Sequence, residues 1–348
     1  METGLAMHPW VAERRERIGF ALQVDTLADD PMPSGRVLAA GRLAEALGFD
    51  AFFTGDHPTW APEVWLHMAA LAVTTERIRL GPMVSCVLYR SPVLTARLAA
   101  DLDQLSNGRL VLGLGIGWDA AALGWGTNEF DRMGLRYPTT RERQEALEEV
   151  ITIIRGVWKP EPLTFRGRYY TATDAQVHPP PLQGVAPIVI AGAGEKVTLR
   201  QVARLADACN IGPVVTGGVN TPAEAGHKLA VLRRHCAEVG RPYETILRTH
   251  FTLWLILAED SAGVRRKLDR YFPDGLDDTW RRAVVAGTPQ QVVPYFQAYA
   301  DVGMQYFVVQ VLDAADEETM RLLAEEVVPQ ITPAVATDAL AQPPDGSA

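Results

Sequence analysis

The sequence predicts an α/β fold, a (β/α)8 TIM barrel with insertions after strands four, five and seven. Three observations carry this expectation. Short apolar runs alternate with helical periodicity along the whole chain, the pattern of a parallel sheet covered by helices. Eight such units fit into 348 residues, which suits a barrel with additions. Several of the runs are almost continuously apolar, as strands buried on both faces should be. A doubly wound open sheet is the alternative arrangement of the same units.

The elements follow in order. "RIGFALQV" (17–24) reads as strand one. A helix from about Ser34 sets Ala39, Leu43, Ala44 and Leu47 on one face, and Gly48 closes it. "DAFFTG" is strand two, "EVWLHMAALAVTT" helix two and "IRLGPMVS" strand three. "PVLTARLAADLDQLS" is helix three, stopped by Asn107-Gly108, and "RLVLGLGIG" is strand four. A long loop to about Pro138 precedes helix four, where Leu147, Val150, Ile151 and Ile154 repeat at helical spacing. Residues 158–186 hold two extended runs around Arg166-Gly167 and then three prolines, a small hairpin. "PIVIAG" is strand five, followed by a helix from near Glu195. "DACNI" is strand six, followed by a helix over 222–239. "RTHFTLWLILA" is strand seven, followed by a helical region. A helix at 288–302, the strand "QYFVVQV" and a helix at 316–331 complete the series. Residues 211–221 and 271–280 are irregular. The expected organisation is an extension over 1–16, one barrel domain over 17–331, and a flexible tail over 332–348.

The totals exclude several classes. Hydrophobic residues are 47% and charged residues 22% of the chain, usual for a soluble globular protein. No apolar run reaches the ~18 residues of a membrane helix, and the N-terminus lacks the apolar core of a signal peptide. A cytoplasmic protein with no membrane partner is expected. The net charge of −9 with no basic block argues against nucleic acid. The three cysteines, Cys86, Cys209 and Cys236, have no CxxC spacing and read as reduced thiols.

Candidate functional groups lie at the C-terminal ends of strands, where barrels of this class place them. Strand two ends on Asp56-His57, either a catalytic pair or loop polarity with Asp56 as a cap. No His or Cys stands in metal-ligand spacing with it, so no metal is expected, and there is no G-x-S-x-G elbow for a serine hydrolase. Strand three exits through Met83, Val84 and Ser85. Strand four exits through "GLGIGW", whose Gly115, Ile116 and Gly117 would let a flat ring lie on the backbone. Trp118 is either a pocket wall or an ordinary buried indole. "AGAGEK" (191–196) leads into a helix, so it is either a tight turn or a phosphate site built on unpaired N–H groups. Strand six exits at Asn210.

Five segments in this order, "RLAEALGFDAFFTGDHP", "TERIRLGPMVSCVLYRSPVLTARLAADLDQLSNGRLVLGLGIGW", "FRGRYYTATDAQVHPPPLQ", "PIVIAGAGEKVTLRQVARLADACNI" and "GTPQQVVPYFQAYADVGMQYFVVQ", resemble the luciferase-like monooxygenase superfamily over roughly 17–331. The resemblance implies a flavin- or deazaflavin-dependent barrel acting on a small molecule, and a homodimer. Asp56-His57 and "GEKVTLRQVARLADACN" are similar to the branch that uses coenzyme F420. The alternatives are an FMN-dependent monooxygenase supplied by a separate cofactor reductase, and a non-catalytic relative. Carried over, the resemblance puts Asp56 and His57 at the ring, His57 as acid or base, and Met83, Val84 and Ser85 behind the ring. Gly115, Ile116 and Gly117 would contact the ring or its side chain. Gly192, Ala193, Gly194 and Glu195 would hold the phosphate. A cis peptide is expected at Pro82–Met83. Deazaflavin sugar-phosphate dehydrogenases of this type carry a glutamate where this chain has Trp118. That leaves His57 without an acidic partner and favours a bulky apolar substrate against Trp118, Trp60 and Trp125.

Overall fold

In the computed structural model, which describes residues 5–24, 30–118, 127–213 and 218–334, eight parallel strands close on themselves. They are β1 (Gly19–Val24), β2 (Ala51–Thr54), β3 (Arg79–Pro82) with its continuation β4 (Ser85–Cys86), β5 (Leu112–Gly115), β8 (Ile188–Ala191), β9 (Ala208–Ile211), β10 (Leu247–Thr252) and β13 (Tyr306–Val311). The hairpin β6 (Leu163–Arg166) and β7 (Thr171–Ala175) stands outside the barrel, as does the two-stranded pair β11 (Leu255–Leu257) and β12 (Val285–Gly287). Barrel strand three is split. Its first half pairs with β2 and its second with β5, and Leu80 bridges Leu110, so the wall closes.

Side chains alternate across this wall with the period of two that strand geometry imposes. Ala21, Phe53, Met83, Val111, Val189 and Val308 fill the barrel interior. Their neighbours Leu22, Phe52, Leu112, Ile190 and Val309 face the surrounding helices. The N-terminal end is plugged by α1 (Pro9–Glu13). Its Trp10, 1% exposed, meets Tyr306 edge-on at 5.7 Å. The C-terminal end is thereby the open one.

The helices begin where the sequence supplies caps. α6 (Thr140–Val157), α8 (Pro222–Glu238) and α11 (Pro289–Asp301) each start with a capping box, from Thr139/Glu142, Thr221/Glu224 and Thr288/Gln291. α2 (Pro33–Ala46), α3 (Val64–Ala72) and α4 (Pro92–Leu105) follow strands one to three. Asn107 and Gly108 end α4 with φ of +55° and +79°, the left-handed stop that these residue types tolerate.

Three expectations need correction. The fifth barrel strand carries no insertion. Six turn residues and α7 (Thr198–Leu205) lead straight to β9, and the irregular stretch 211–221 follows strand six. The run 248–258 is not one strand. Trp254 adopts φ +45°, which reverses the pleat and sends Leu255–Leu257 out of the barrel to pair with Val285–Gly287. Between these last two strands lie α9 (Ser261–Tyr271) and α10 (Asp278–Ala283). Finally, α12 is α-helical only over Glu317–Leu322. It widens over Leu323–Val327 and tightens over Val328–Gln330, where Pro329 cannot supply an N–H to continue the ladder.

Candidate active site

β2 releases Gly55, Asp56 and His57 into the open mouth. Asp56 is buried and wholly engaged. Ser85 donates to it at 2.6 Å, and Arg90 grips both carboxylate oxygens at 2.5 and 3.0 Å. The same guanidinium reaches Glu63, at the start of α3, at 2.5 Å. A bidentate pair of this kind fixes direction as well as distance, so Asp56 ties the exits of strands two and three together.

His57 takes a different environment. Its Nδ1 lies 3.1 Å from Oε2 of Glu129, a residue 72 positions away on α5 (Glu129–Arg132). Glu129 is buried and also accepts from the Thr59 backbone and hydroxyl and from the Tyr89 hydroxyl, at 3.0–3.3 Å. Burial works against its charge, but the hydrogen bonds from His57, Thr59 and Tyr89 outweigh it and hold the carboxyl below its usual range. An ionised carboxylate only accepts, so Nδ1 donates to it and Nε2 is the ring nitrogen turned away from Glu129. Gly55 makes room for that edge of the ring, because a Cβ there would sit 3.0 Å from Nε2. Trp60 stacks on the imidazole at 4.1 Å, and Trp118 meets it edge-on at 6.1 Å.

Sequence reasoning left His57 without an acid, and Glu129 corrects this. Glu129, Tyr89 and Arg90 were all missed. The faint signals were the cap sequence Asn128-Glu129 within the long loop after strand four and the Tyr-Arg pair just beyond strand three. Trp125 lies outside the described residues.

The third strand also corrects a detail. The cis peptide is Met83–Val84, one bond beyond the expected Pro82–Met83. Met83 and Ser85 are buried, and Val84 is half-buried. Gly113 and Gly115 also allow strands three and four to approach closely. A Cβ on Gly113 would fall 2.5 Å from the Pro82 carbonyl oxygen, and one on Gly115 2.6 Å from Cγ2 of Val84. Arg143 of α6 holds the carbonyl oxygens of Ile116 and Gly117 at 3.1 and 2.8 Å.

In the turn after strand five, the Gly192 N–H donates to the Asn210 carbonyl at 2.9 Å. It is therefore occupied, whereas those of Ala193 and Gly194 meet no acceptor among the described residues. Gly192 has φ +125°, and a Cβ on Gly194 would stand 2.8 Å from Oγ1 of Thr198, so the turn requires both glycines. Glu195 faces α8, accepting from Lys228 and His227 at 2.6 and 3.1 Å. Cys86, Cys209 and Cys236 are free and buried. Burial pushes the Cys86 thiol up to about 12, so it is no nucleophile. Among the described residues there is no cluster fit for a metal ion and no helix long and apolar enough to cross a membrane.

An open-mouthed (β/α)8 barrel with an imidazole–carboxylate pair and a glycine turn before a helix defines the class as a barrel enzyme with its site at the strands' C-terminal ends. A family model described as luciferase-like monooxygenase matches residues 18–275, and the chain belongs to that family. The F420-dependent glucose-6-phosphate dehydrogenase of Microbacterium testaceum (strain StLB037) is 30% identical over 327 residues, 85% of this chain and 93% of its own. Among solved structures, the coenzyme F420-dependent tetrahydromethanopterin reductase of Methanopyrus kandleri superposes with a TM-score of 0.74 at 21% identity, over 91% of this chain and all of that one. An F420-dependent secondary alcohol dehydrogenase in complex with an F420–acetone adduct gives 0.75 at 18% identity, over 90% and 99%.

Proposed function

We propose that this protein is a coenzyme F420-dependent oxidoreductase, moving a hydride between the deazaflavin and a small organic substrate. The observation that carries the proposal is His57, its Nδ1 held 3.1 Å from the buried carboxylate of Glu129 at the mouth of the barrel. The F420-dependent relatives support the choice of cofactor. The residues present fit such a group. The exits of strands three and four offer Val84, Gly115, Ile116 and Gly117 to a flat ring, and the N–H groups of Ala193 and Gly194 suit a phosphate.

When bound, the deazaflavin supplies or accepts the hydride. The protein's own residues do the rest. His57 takes the proton from a substrate hydroxyl through Nε2, or returns it to a carbonyl oxygen. Glu129 selects the tautomer and stabilises the imidazolium that forms. Asp56, locked to Arg90 and Ser85, is a positioning residue that keeps the strand-two exit beside strand three. Met83 and Ser85 support the ring's back face, and Trp118 and Trp60 enclose His57. In this reading the enzyme is a cytoplasmic homodimer, and a separate cofactor reductase belongs only to the FMN alternative.

Titrating the purified protein with F420 and, separately, with FMN tests this reading. Saturable quenching of F420 fluorescence and no response from FMN is expected. Tight FMN binding alone would replace the proposal with a monooxygenase, and binding of neither would point to a non-catalytic relative.

A further inference from the structure

The turn after strand five is gripped by α8. Lys228 and His227 meet the Glu195 carboxylate at 2.6 and 3.1 Å. Two helical turns further along, Nε2 of His235 lies 2.8 Å from the Glu195 carbonyl oxygen. Residues 228 and 235 are spaced to share one helix face, so a single face of α8 carries all these contacts. The His235 side chain is only 12% exposed, which shields its bond to the turn from water. Glu195 directly follows Ala193 and Gly194, whose N–H groups meet no acceptor among the described residues.

What the His235 ring faces fixes its protonation. Nδ1 stands 2.9 Å from Oε2 of Glu238. The Glu238 carboxyl is held below its usual range, chiefly by the hydrogen bond from His235, so it is ionised and only accepts. A carbonyl oxygen only accepts as well. Both contacts are hydrogen bonds only when both ring nitrogens carry protons, which makes the ring an imidazolium. Glu238 is the exposed partner, so a neutral ring can keep one bond by releasing the other, but it loses its charge in either tautomer. The other charged groups around the ring and its partners are Lys196 of the turn, Arg200 of α7, and Lys228 and Arg234 of α8. None of these residue types changes charge near neutral pH. His227 is the rival titrating group, and it reaches the turn only through the Glu195 side chain.

We propose that His235 is a positioning residue for the phosphate turn, and that its proton ties cofactor affinity to pH. The proposal rests on the phosphate reading of Ala193 and Gly194. The imidazolium holds the Glu195 carbonyl by a charge-assisted bond and places a positive charge behind the bound anion. Deprotonation removes that charge, so affinity falls as pH rises. Linkage is reciprocal: a bound anion must raise the proton affinity of His235 by the same factor.

F420 is the first probe, and sulfate, an anion that does not titrate near neutral pH, is the second. The parent's F420 Kd should rise about fivefold or more between about pH 6 and about pH 8.5. His235→Gln keeps a donor for the carbonyl but cannot titrate. It should melt close to the parent and lose this step in Kd, whereas His227→Gln should keep it. The deazaflavin riboside without its phosphate controls for titration of the ring itself, and His235→Gln should leave its pH profile unchanged. In cofactor-free parent protein, nitrogen NMR of the His235 ring should show its titration midpoint move up when sulfate is added. A parent Kd that ignores pH, a step that survives His235→Gln, or one that His227→Gln alone removes overturns the proposal. Should F420 not bind, the cofactor reading fails by itself, and sulfate decides the role of His235: a midpoint that sulfate leaves unmoved overturns it.

Discussion

At His57, what the imidazole can do depends on Glu129, and the two make different demands on a mutant. His57→Ala removes the proton carrier but none of the phosphate or ring contacts. It should cut kcat by about 10²–10⁴-fold with the F420 Kd unchanged, and unaltered turnover would remove His57 from the mechanism. Glu129→Gln keeps the shape and loses the charge. A fall in kcat of about 10–100-fold with KM nearly constant is expected, by analogy with oriented histidines at other sites, and Glu129→Asp should restore part of it. If KM and kcat move together in both variants, Glu129 is only structural. A second histidine makes a prediction about stability. His250 is fully buried against Tyr299, ring centroids 4.0 Å apart, with Nδ1 on Thr252 and Nε2 unpartnered. Burial lowers its pKa to about 3 from 6.5. Unfolded chains therefore bind the proton more readily across that interval. The neutral ring's advantage is complete above pH 6.5 and is lost as pH falls towards 3, at about 1.4 kcal/mol per unit. His250→Phe should flatten the melting temperature between pH 6.5 and 4, whereas an unchanged acid slope would place the proton uptake elsewhere.

Among the elements, the glycines of strand four were legible as a special feature, but the close strand packing at Gly113 was not. The sequence reading offers Gly115, Ile116 and Gly117 to a ring and gives Gly113 no role, whereas a Cβ on Gly113 would stand 2.5 and 2.9 Å from Pro82 and Met83 of the neighbouring strand. The obstacle at 2.5 Å is a backbone oxygen, which cannot rotate away. Gly113→Ala should therefore part strands three and four and cost about 3 kcal/mol, read as a lower urea midpoint. Gly115→Ala meets a valine methyl instead, which can turn, and should cost less. Equal midpoints for the two variants would mean the strands separate freely here. The same limit applies to the site. Asp56, His57 and the turn at 192–194 sit directly after apolar runs, so local pattern finds them. Glu129 and Arg90 act across loops that no local pattern closes, and the left-handed Trp254 looks like any strand residue until its backbone is seen.

For the molecule as a whole, eight alternating units were enough to indicate a closed barrel, because burial on both faces leaves a strong local imprint. Assembly leaves a fainter one. Leu66 and Val73, seven positions apart on and just beyond α3, are 71% and 65% exposed, and Leu94 and Leu105 at the two ends of the adjoining α4 are 49% and 52% exposed. Large apolar side chains on neighbouring helices, away from the barrel mouth, lose about 1.5–3 kcal/mol each by staying in water. Burial against a second copy would recover this with a self-complementary patch, as a two-fold interface requires. The chain of 38.1 kDa should therefore run at about twice that mass in light scattering at micromolar concentration. Leu66→Glu combined with Val73→Glu would place charges on both sides of the axis and should give a folded monomer that still quenches F420, since His57 and the 192–194 turn belong to one chain. A parent chain that is monomeric under these conditions, or a double variant that stays dimeric, would show that this face is not the interface. A monomeric variant with intact F420 quenching would show that each barrel holds its cofactor alone.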